Sequence, residues 1–421
     1  MGIDRQTRPS HDDAEIAIIG GSGFHELLSD ARSIRATAPV AILIAMSVIV
    51  RTFLAGTASA ATSAAPWPMA LHDAEHSGTS TSVGPQSGTI SWQRDLGGNI
   101  TPGPVVAADG TIYAASSLGV LHALNPKDGS DRWTFDGGAQ YSGGTDLSTS
   151  PLILPSGTVL WPGPRDRLFA LSPNGTKLWS HTFGAAVLSP VLAGSRVYVV
   201  LADATVWAID VTGGTPALRW SIDVGSTSFG SPVVDPDGNV ITTADDAVVA
   251  IADHGSTGSV RWRHTLDADV EVSASVDRSG SVYVESNHGS VYAFSPSGTL
   301  RWKLRIGQES YSSSSVSPSG LLYFGDNGGV LHVVRASTGG AVAADRAGKG
   351  IWSAQVIDAR GDAYFGTQGK EIVGYDHAGH HLFTVPTSGA IDSYPGLTAS
   401  GALIIGDERG TLYAIGGTSP R

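Results

Sequence analysis

The chain is 421 residues long, with 54 glycines, 15% charged residues and a formal net charge of −12. So much glycine with so little charge describes many turns and short strands rather than helices. The absence of cysteine excludes disulfides, thiolate metal sites, cysteine nucleophiles and a lipobox lipid anchor, and the acidic balance argues against nucleic acid, whose phosphates are bound by clustered Lys and Arg.

Residues 1–35 read as a leader. Within it AEIAIIGGSGF (14–24) joins a strand-like apolar run to a glycine-rich loop whose backbone N–H groups are able to cradle phosphate. The stretch resembles the N-terminus of methylthioadenosine phosphorylases, and that resemblance implies Ser22 as a phosphate-site hydroxyl. The rest of such an enzyme is missing from the sequence that follows. The leader is therefore expected to be a fusion remnant or the product of a misplaced start, disordered or removed, and inactive.

Residues 36–65 read as a signal peptide or membrane anchor. The apolar stretch ATAPVAILIAMSVIV (36–50) follows Arg32 and Arg35, and Arg51 interrupts it. Ala58-Ser59-Ala60 and Ser63-Ala64-Ala65 offer small-residue cleavage sites, so export is expected. As an anchor the run falls short of the ~20 apolar residues of a spanning helix.

Residues 66–87 form a lead-in segment that contains WPMALHDAEHSG (67–78). His72, Asp73, Glu75 and His76 are potential metal ligands, with His72 and His76 on one face of a helix. No glutamate follows His72 as H-E-x-x-H requires, so a packed segment is expected rather than a zinc centre.

From residue 88 to 417 one frame repeats. Trp92, Trp133, Trp179, Trp220, Trp262 and Trp302 recur about every 40 residues, the period of a β-propeller. The frame continues with Ala343 and then Phe383, which makes eight copies. Residues 271–302, EVSASVDRSGSVYVESNHGSVYAFSPSGTLRW, show the unit: short strands separated by Asp-, Asn-, Ser- and Gly-containing turns, four to an antiparallel blade. An indole on the last strand has only the neighbouring blade to bury against. Trp92, Trp133, Trp179, Trp220, Trp262, Trp302 and Phe383 are therefore assigned to blade docking. The final copy supplies three strands, and the segment around Trp92 is a fourth without predecessors. The expected fold is an all-β, eight-bladed propeller of four-stranded antiparallel blades, closed by the N-terminal strand.

ALNPKDGSDRW (123–133), ALSPNGTKLW (170–179) and AFSPSGTLRW (293–302) resemble the A-x-D-x-x-T-G-x-x-x-W motif of pyrroloquinoline-quinone-type repeats. WPMALHDAEHSG resembles the lead-in that precedes such repeats. The resemblance covers roughly residues 67–417 and implies one of two proteins. The first is a quinoprotein alcohol or sugar dehydrogenase, with pyrroloquinoline quinone and calcium as cofactors. The second is a non-catalytic propeller such as the outer-membrane assembly lipoprotein or a secreted scaffold. The dehydrogenases carry an adjacent cysteine pair and large insertions that this chain lacks, and the lipoprotein carries a lipobox cysteine that it also lacks.

The expectation is an exported, monomeric binding module without cofactor or metal, with a protein or cell-envelope ligand. Membrane contact is expected only through residues 36–50, if they are uncleaved. The candidate ligand surface is the channel mouth, where the innermost strands begin: Thr101, Ser148, Val187, Phe229, Glu271, Tyr311, Trp352 and Asp392. Side chains that merely fill the funnel are the alternative. Asp245, Asp246, Asp326, Asp407 and Glu408 in neighbouring turns lend that face an acidic tendency. Two further fragments, DPDGN (235–239) and DHAGHH (376–381), could hold a cation but read better as turns.

Overall fold

A computed structural model describes residues 66–141, 149–211 and 215–417. The leader with Ser22, the apolar segment 36–50 and Ser148 lie outside the described residues. The described chain builds eight four-stranded antiparallel sheets, each from four successive strands except the last. Blade 1 is Val105–Val106, Ile112–Ser116, Val120–Leu124 and Asp131–Asp136. Blades 2 to 7 repeat it over 152–182, 191–223, 233–265, 275–305, 315–346 and 356–386. With the last sheet, which joins the two ends of the ring, they form the expected eight-bladed propeller.

Burial within a blade follows from its place in the ring. The second and third strands have a neighbouring blade on each face, so both faces are covered and the sequence runs apolar without alternation; Ile112–Ser116 and Val282–Ser286 are buried throughout. The fourth strand is at the rim, and there alternation returns. In Leu300–Arg305, Trp302 and Leu304 turn partly inward while their neighbours are exposed. A β-bulge falls just before the tryptophan position: Phe294 pairs with Leu300 and Ala293 with Trp302, leaving Arg301 as the extra residue.

The bulge helps to aim the indole at the next blade. Trp92 Nε1 donates to the Pro126 carbonyl at 2.9 Å, Trp133 to Pro173 at 2.9 Å, Trp262 to Pro296 at 3.1 Å and Trp302 to Ala336 at 2.9 Å. Trp220 instead reaches the Asp253 carboxylate at 2.9 Å. A glycine of the accepting turn lies against each ring. Gly298 has φ +84°, and a Cβ there would meet Trp262 Cγ at 2.6 Å, so both backbone and space demand glycine. Trp179 is half-buried and packs with the core shared by blades 2 to 4. In blade 7 Phe383 keeps the packing without a donor, its ring 6.1 Å from Tyr364. In blade 6, Ala343 is exposed.

The ring closes between its ends. The last sheet orders Ile90–Asp95 beside Thr411–Ile415, then Leu403–Gly406 and Gly396–Leu397. Trp92 pairs with Ala414 and Asp95 with Thr411. This removes two open sheet edges, each a row of unpaired N–H and C=O groups.

The lead-in segment is a bracelet laid across the ends of the innermost strands. The Val106 N–H donates to the Trp67 carbonyl, Ile153 to Pro68, Val234 to Ala74, Val276 to Glu75, Val316 to Ser77 and Ile357 to Gly78, at 2.7–3.0 Å. Six blades are thus stitched to one strand of chain. The helix expected to align His72 with His76 is absent, because Leu71, His72 and His76 have φ of 51°, 83° and 52° and bend the chain around the axis. Trp67 and Leu71 are fully buried. His76 is buried with neither ring nitrogen hydrogen-bonded, and burial lowers its pKa to about 4. Asp73 accepts from the Ser77 amide at 2.8 Å and from His72 Nδ1 at 3.2 Å. No metal-holding cluster occurs among the described residues.

Candidate ligand-binding mouth of the channel

Where the innermost strands begin, segments of the chain from successive blades converge on the axis and small hydroxyls satisfy their neighbours' backbones. The Ser150 N–H donates to Ser189 Oγ at 2.7 Å, Ser231 to Ser273 at 2.8 Å and Ser273 to Ser313 at 3.1 Å, each link crossing one blade boundary. On the far side Ser353 Oγ donates to the Ser393 carbonyl at 2.8 Å, and Ser393 Oγ to Pro102 at 3.1 Å. Serine suits this ring because its hydroxyl donates and accepts at little volume. Tyr394 on blade 8 reaches across to blade 6, its hydroxyl 3.2 Å from Ser313 Oγ. Its pKa is raised, first by burial and then by the charges of Asp392 and Glu285.

Glu285 lies in this buried zone on the second strand of blade 5. It is wholly inaccessible and neither carboxylate oxygen has a hydrogen-bond partner. Burial raises its pKa to about 8 against the weaker opposing influence of Ser314, so the acid is protonated at neutral pH. Gln355 Nε2 donates to Ser312 Oγ at 3.0 Å, which leaves its own Oε1 unpaired.

Above this plug the predicted mouth residues divide. Thr101 and Val187 are buried, at 6% and 3% exposure, so they belong to the packed funnel and offer no ligand surface. Phe229 is 41% exposed and Glu271 is exposed, while Tyr311, Trp352 and Asp392 are half-exposed. Tyr311 and Trp352, from adjacent blades, meet edge to face with centroids 5.4 Å apart. Burial raises the Tyr311 pKa, and the nearby carboxylates Glu309 and Glu271 raise it further.

Residues not singled out in the sequence hold this group. The Trp352 indole donates to Asn327 Oδ1 and the Gln368 amide to Asp392. Asn327 Nδ2 donates to Glu309 at 3.0 Å. Asn327 and Gln368 follow the second strands of blades 6 and 7, where a polar residue reads as a turn former. Their convergence on the mouth has no local signature.

The acidic turns do different work. Asp326 and Asp407 are buried, not displayed. Asp407 accepts from the Gly389, Arg409 and Thr411 amides at 2.9 Å each, and burial is outweighed so that its pKa is lowered. Asp326 accepts from the Val330 amide at 2.9 Å and from His332 Nε2 at 2.8 Å. Asp245 accepts from the Ser226 and Thr227 amides at 3.0 Å. In DPDGN, Asp235 binds the Asn239 amide and side chain at 2.8 Å, and in DHAGHH, Asp376 binds the His380 amide at 2.8 Å. Both are turn caps.

Residues 76–144, 138–217 and 214–418 match the family model described as outer membrane protein assembly factor BamB. The assembly factor BamB of Yersinia pestis is 24% identical over 158 residues, 34% of this chain and 38% of that relative. The chain thus matches well under half the length of that curated relative. BamB from Moraxella catarrhalis superposes with a TM-score of 0.61 at 16% identity, over 77% of this chain and 98% of that one. The quinohemoprotein alcohol dehydrogenase of Comamonas testosteroni gives 0.66 at 15%, over 86% and 82%. At such identities these two structures share the fold alone, and the fold serves both an assembly factor and an oxidoreductase. The matches that span the repeats end to end place this chain in the family of BamB-type propellers built from pyrroloquinoline-quinone-like repeats.

Proposed function

We propose that this protein is a non-catalytic, extracytoplasmic scaffold that binds a protein of the cell envelope at the channel mouth. The observation that carries the reading is the contrast between a filled axis and an open rim. Tyr394 and the serine ring occupy the channel beneath the mouth, where a planar quinone would otherwise enter. Above them Tyr311, Trp352 and Phe229 offer aromatic surface next to Glu271, Glu309 and Asp392. Half-exposed aromatics flanked by charge are the composition of a protein-binding hot spot. Membership of the BamB-type family favours a partner in outer-membrane protein assembly.

The rival reading is a small quinoprotein oxidoreductase. The residues present do not fit its cofactor well: Tyr394 reaches across the axis to Ser313, and the mouth carboxylates Asp392 and Glu309 already accept from Gln368 and Asn327. A photo-crosslinking residue at Trp352 in the full chain, expressed in its own cell envelope, is expected to capture one dominant protein. Trp352→Ala is expected to weaken binding of that protein 10- to 100-fold, about 1–3 kcal/mol, while shifting the unfolding midpoint little. Stoichiometric uptake of pyrroloquinoline quinone with calcium, accompanied by dye-linked alcohol or sugar oxidation, would overturn the scaffold reading.

A further inference from the structure

The face opposite the mouth, where the bracelet lies, carries a pattern the function above does not use. Six of the large apolar side chains left exposed among the described residues sit where an outermost strand begins: Ile90, Leu178, Leu218, Val260, Leu300 and Val342, at 40–52% exposure. Ile90, Leu218, Val260 and Leu300 share one register position, opposite Ile415, Ile209, Ile251 and Phe294. Leu178 and Val342 occupy the bulged position that follows. Scattered exposed aliphatics need no explanation, but a contiguous or regular set does.

Repetition about one axis makes the set planar. Equivalent positions of successive blades fall on a circle in a plane perpendicular to the channel, so the side chains form a flat rim instead of a groove. The outermost strand begins at the end of the blade where the innermost strand ends, so this rim surrounds the bracelet. Cations accompany the aliphatics: Arg219, Arg261 and Arg301 are the exposed bulge residues beside Leu218, Val260 and Leu300, Arg219 pairing with Asp210 at 2.6 Å and Arg301 donating to Ser281 at 2.8 Å, and Lys177 precedes Leu178. An apolar body with a long cationic side chain beside it is the pattern of an interfacial surface, where the charge reaches headgroups and the aliphatic part sinks.

A second observation lies on the same face. Next to the bracelet's start is an apolar cleft of about 600 Å³, lined by Pro68, Met69, Ala108, Ile153, Leu154 and Leu192 among others. The described chain starts here, 16 residues after the apolar segment that ends at Val50, a span on the order of 50 Å when extended. The rim spans six of the eight blades; at the matching register position blades 1 and 7 carry Asp131 and His381.

We propose that the bracelet face is a membrane-contact surface, its aliphatic rim resting at the headgroup boundary of a lipid bilayer with the mouth turned away from it. The contact is made by the propeller and does not depend on whether residues 36–50 are retained. It is also independent of the partner reading, which uses the opposite face.

The chain has no cysteine, so single labels test this directly in the full-length protein. Val260→Cys, Leu300→Cys and Arg305→Cys are each coupled to an environment-sensitive fluorophore; Arg305 ends the strand that Leu300 begins. With phosphatidylethanolamine–phosphatidylglycerol vesicles, the labels at 260 and 300 are expected to brighten severalfold and become protected from aqueous iodide, while the label at 305 does not change. Three labels that respond alike, or none responding although the chain sediments with vesicles, would overturn the proposal. So would a response produced by concentrating the protein without vesicles, which would make the rim an interface between copies.

Discussion

Glu285→Gln is expected to raise the stability of the protein at pH 8 by a few kcal/mol while changing it little at pH 5. The folded carboxyl has a pKa of about 8 because burial penalises its charge, whereas the unfolded group titrates near its ordinary value. Between those two values the unfolded state has lost the proton and the folded state still holds it. Folding must then take up a proton, and stability falls as pH rises through the window from about 4.5 to about 8. Each unit of that gap is worth about 1.4 kcal/mol, so the full effect is on the order of a few kcal/mol. Glutamine keeps the volume and cannot ionise.

Urea unfolding at pH 5 and pH 8 checks this. The midpoint of the variant should exceed that of the wild type by a margin that grows from pH 5 to pH 8, a difference that cancels other titrating groups; parallel profiles would refute the assignment. His76 acts at the other end. Its folded pKa is depressed to about 4 by burial, so its contribution is present above about 6.5 and is lost as pH falls towards 4. The two windows overlap between about 4.5 and 6.5, where their opposite slopes offset each other, so stability is expected to be highest there and to fall on either side.

Trp220→Ala is expected to destabilise the protein by about 3–5 kcal/mol, the range for deleting a large buried aromatic. The side chain is 5% exposed, its ring lies 6.0 Å from Tyr198, and Gly258 of the next blade leaves room for it. Its N–H is one member of a network. Asp253 also accepts from the Tyr198 hydroxyl at 2.6 Å, from the Gly255 amide at 2.7 Å and from the Arg196 guanidinium. Burial alone would raise the Asp253 pKa, but these donors hold it near 2. Alanine therefore opens a cavity and removes a donor from a charged acceptor. Trp220→Phe separates the two, keeping most of the apolar contact and losing the hydrogen bond, at about 1–3 kcal/mol. Denaturant titration with an unchanged slope is the measure. Equal losses for both variants would show that the hydrogen bond, not the packing, carries the seam.

Much of the architecture was legible because it is repetitive. A tryptophan returning at one period, flanked by turn residues, reports a unit that must stack on copies of itself. The unpaired strand around Trp92 had only one place to go once every sheet edge needed a partner. The lead-in was less legible. His72 and His76 stand four apart, but positive φ at both is a backbone choice imposed by the strands it crosses. The mouth was read in part. Tyr311 and Trp352 come together across a blade boundary, whereas Thr101 and Val187 at the matching positions are buried, and which neighbours cover a position is not a local property of the sequence.

What the sequence determined by itself is the number of blades, their strand content and the way the circle closes, because period and turn chemistry are local properties that repetition amplifies. What only the tertiary structure decided is which polar groups are spent and which are free. Asp407 and Asp326 look like displayed carboxylates in the sequence and are turn caps in the fold, Glu285 looks like a surface residue of an alternating strand and is a buried neutral acid, and Tyr394 looks like one strand residue among many and reaches across the channel to Ser313. Burial and hydrogen-bond partnership depend on residues tens to hundreds of positions away, brought together only when the ring closes.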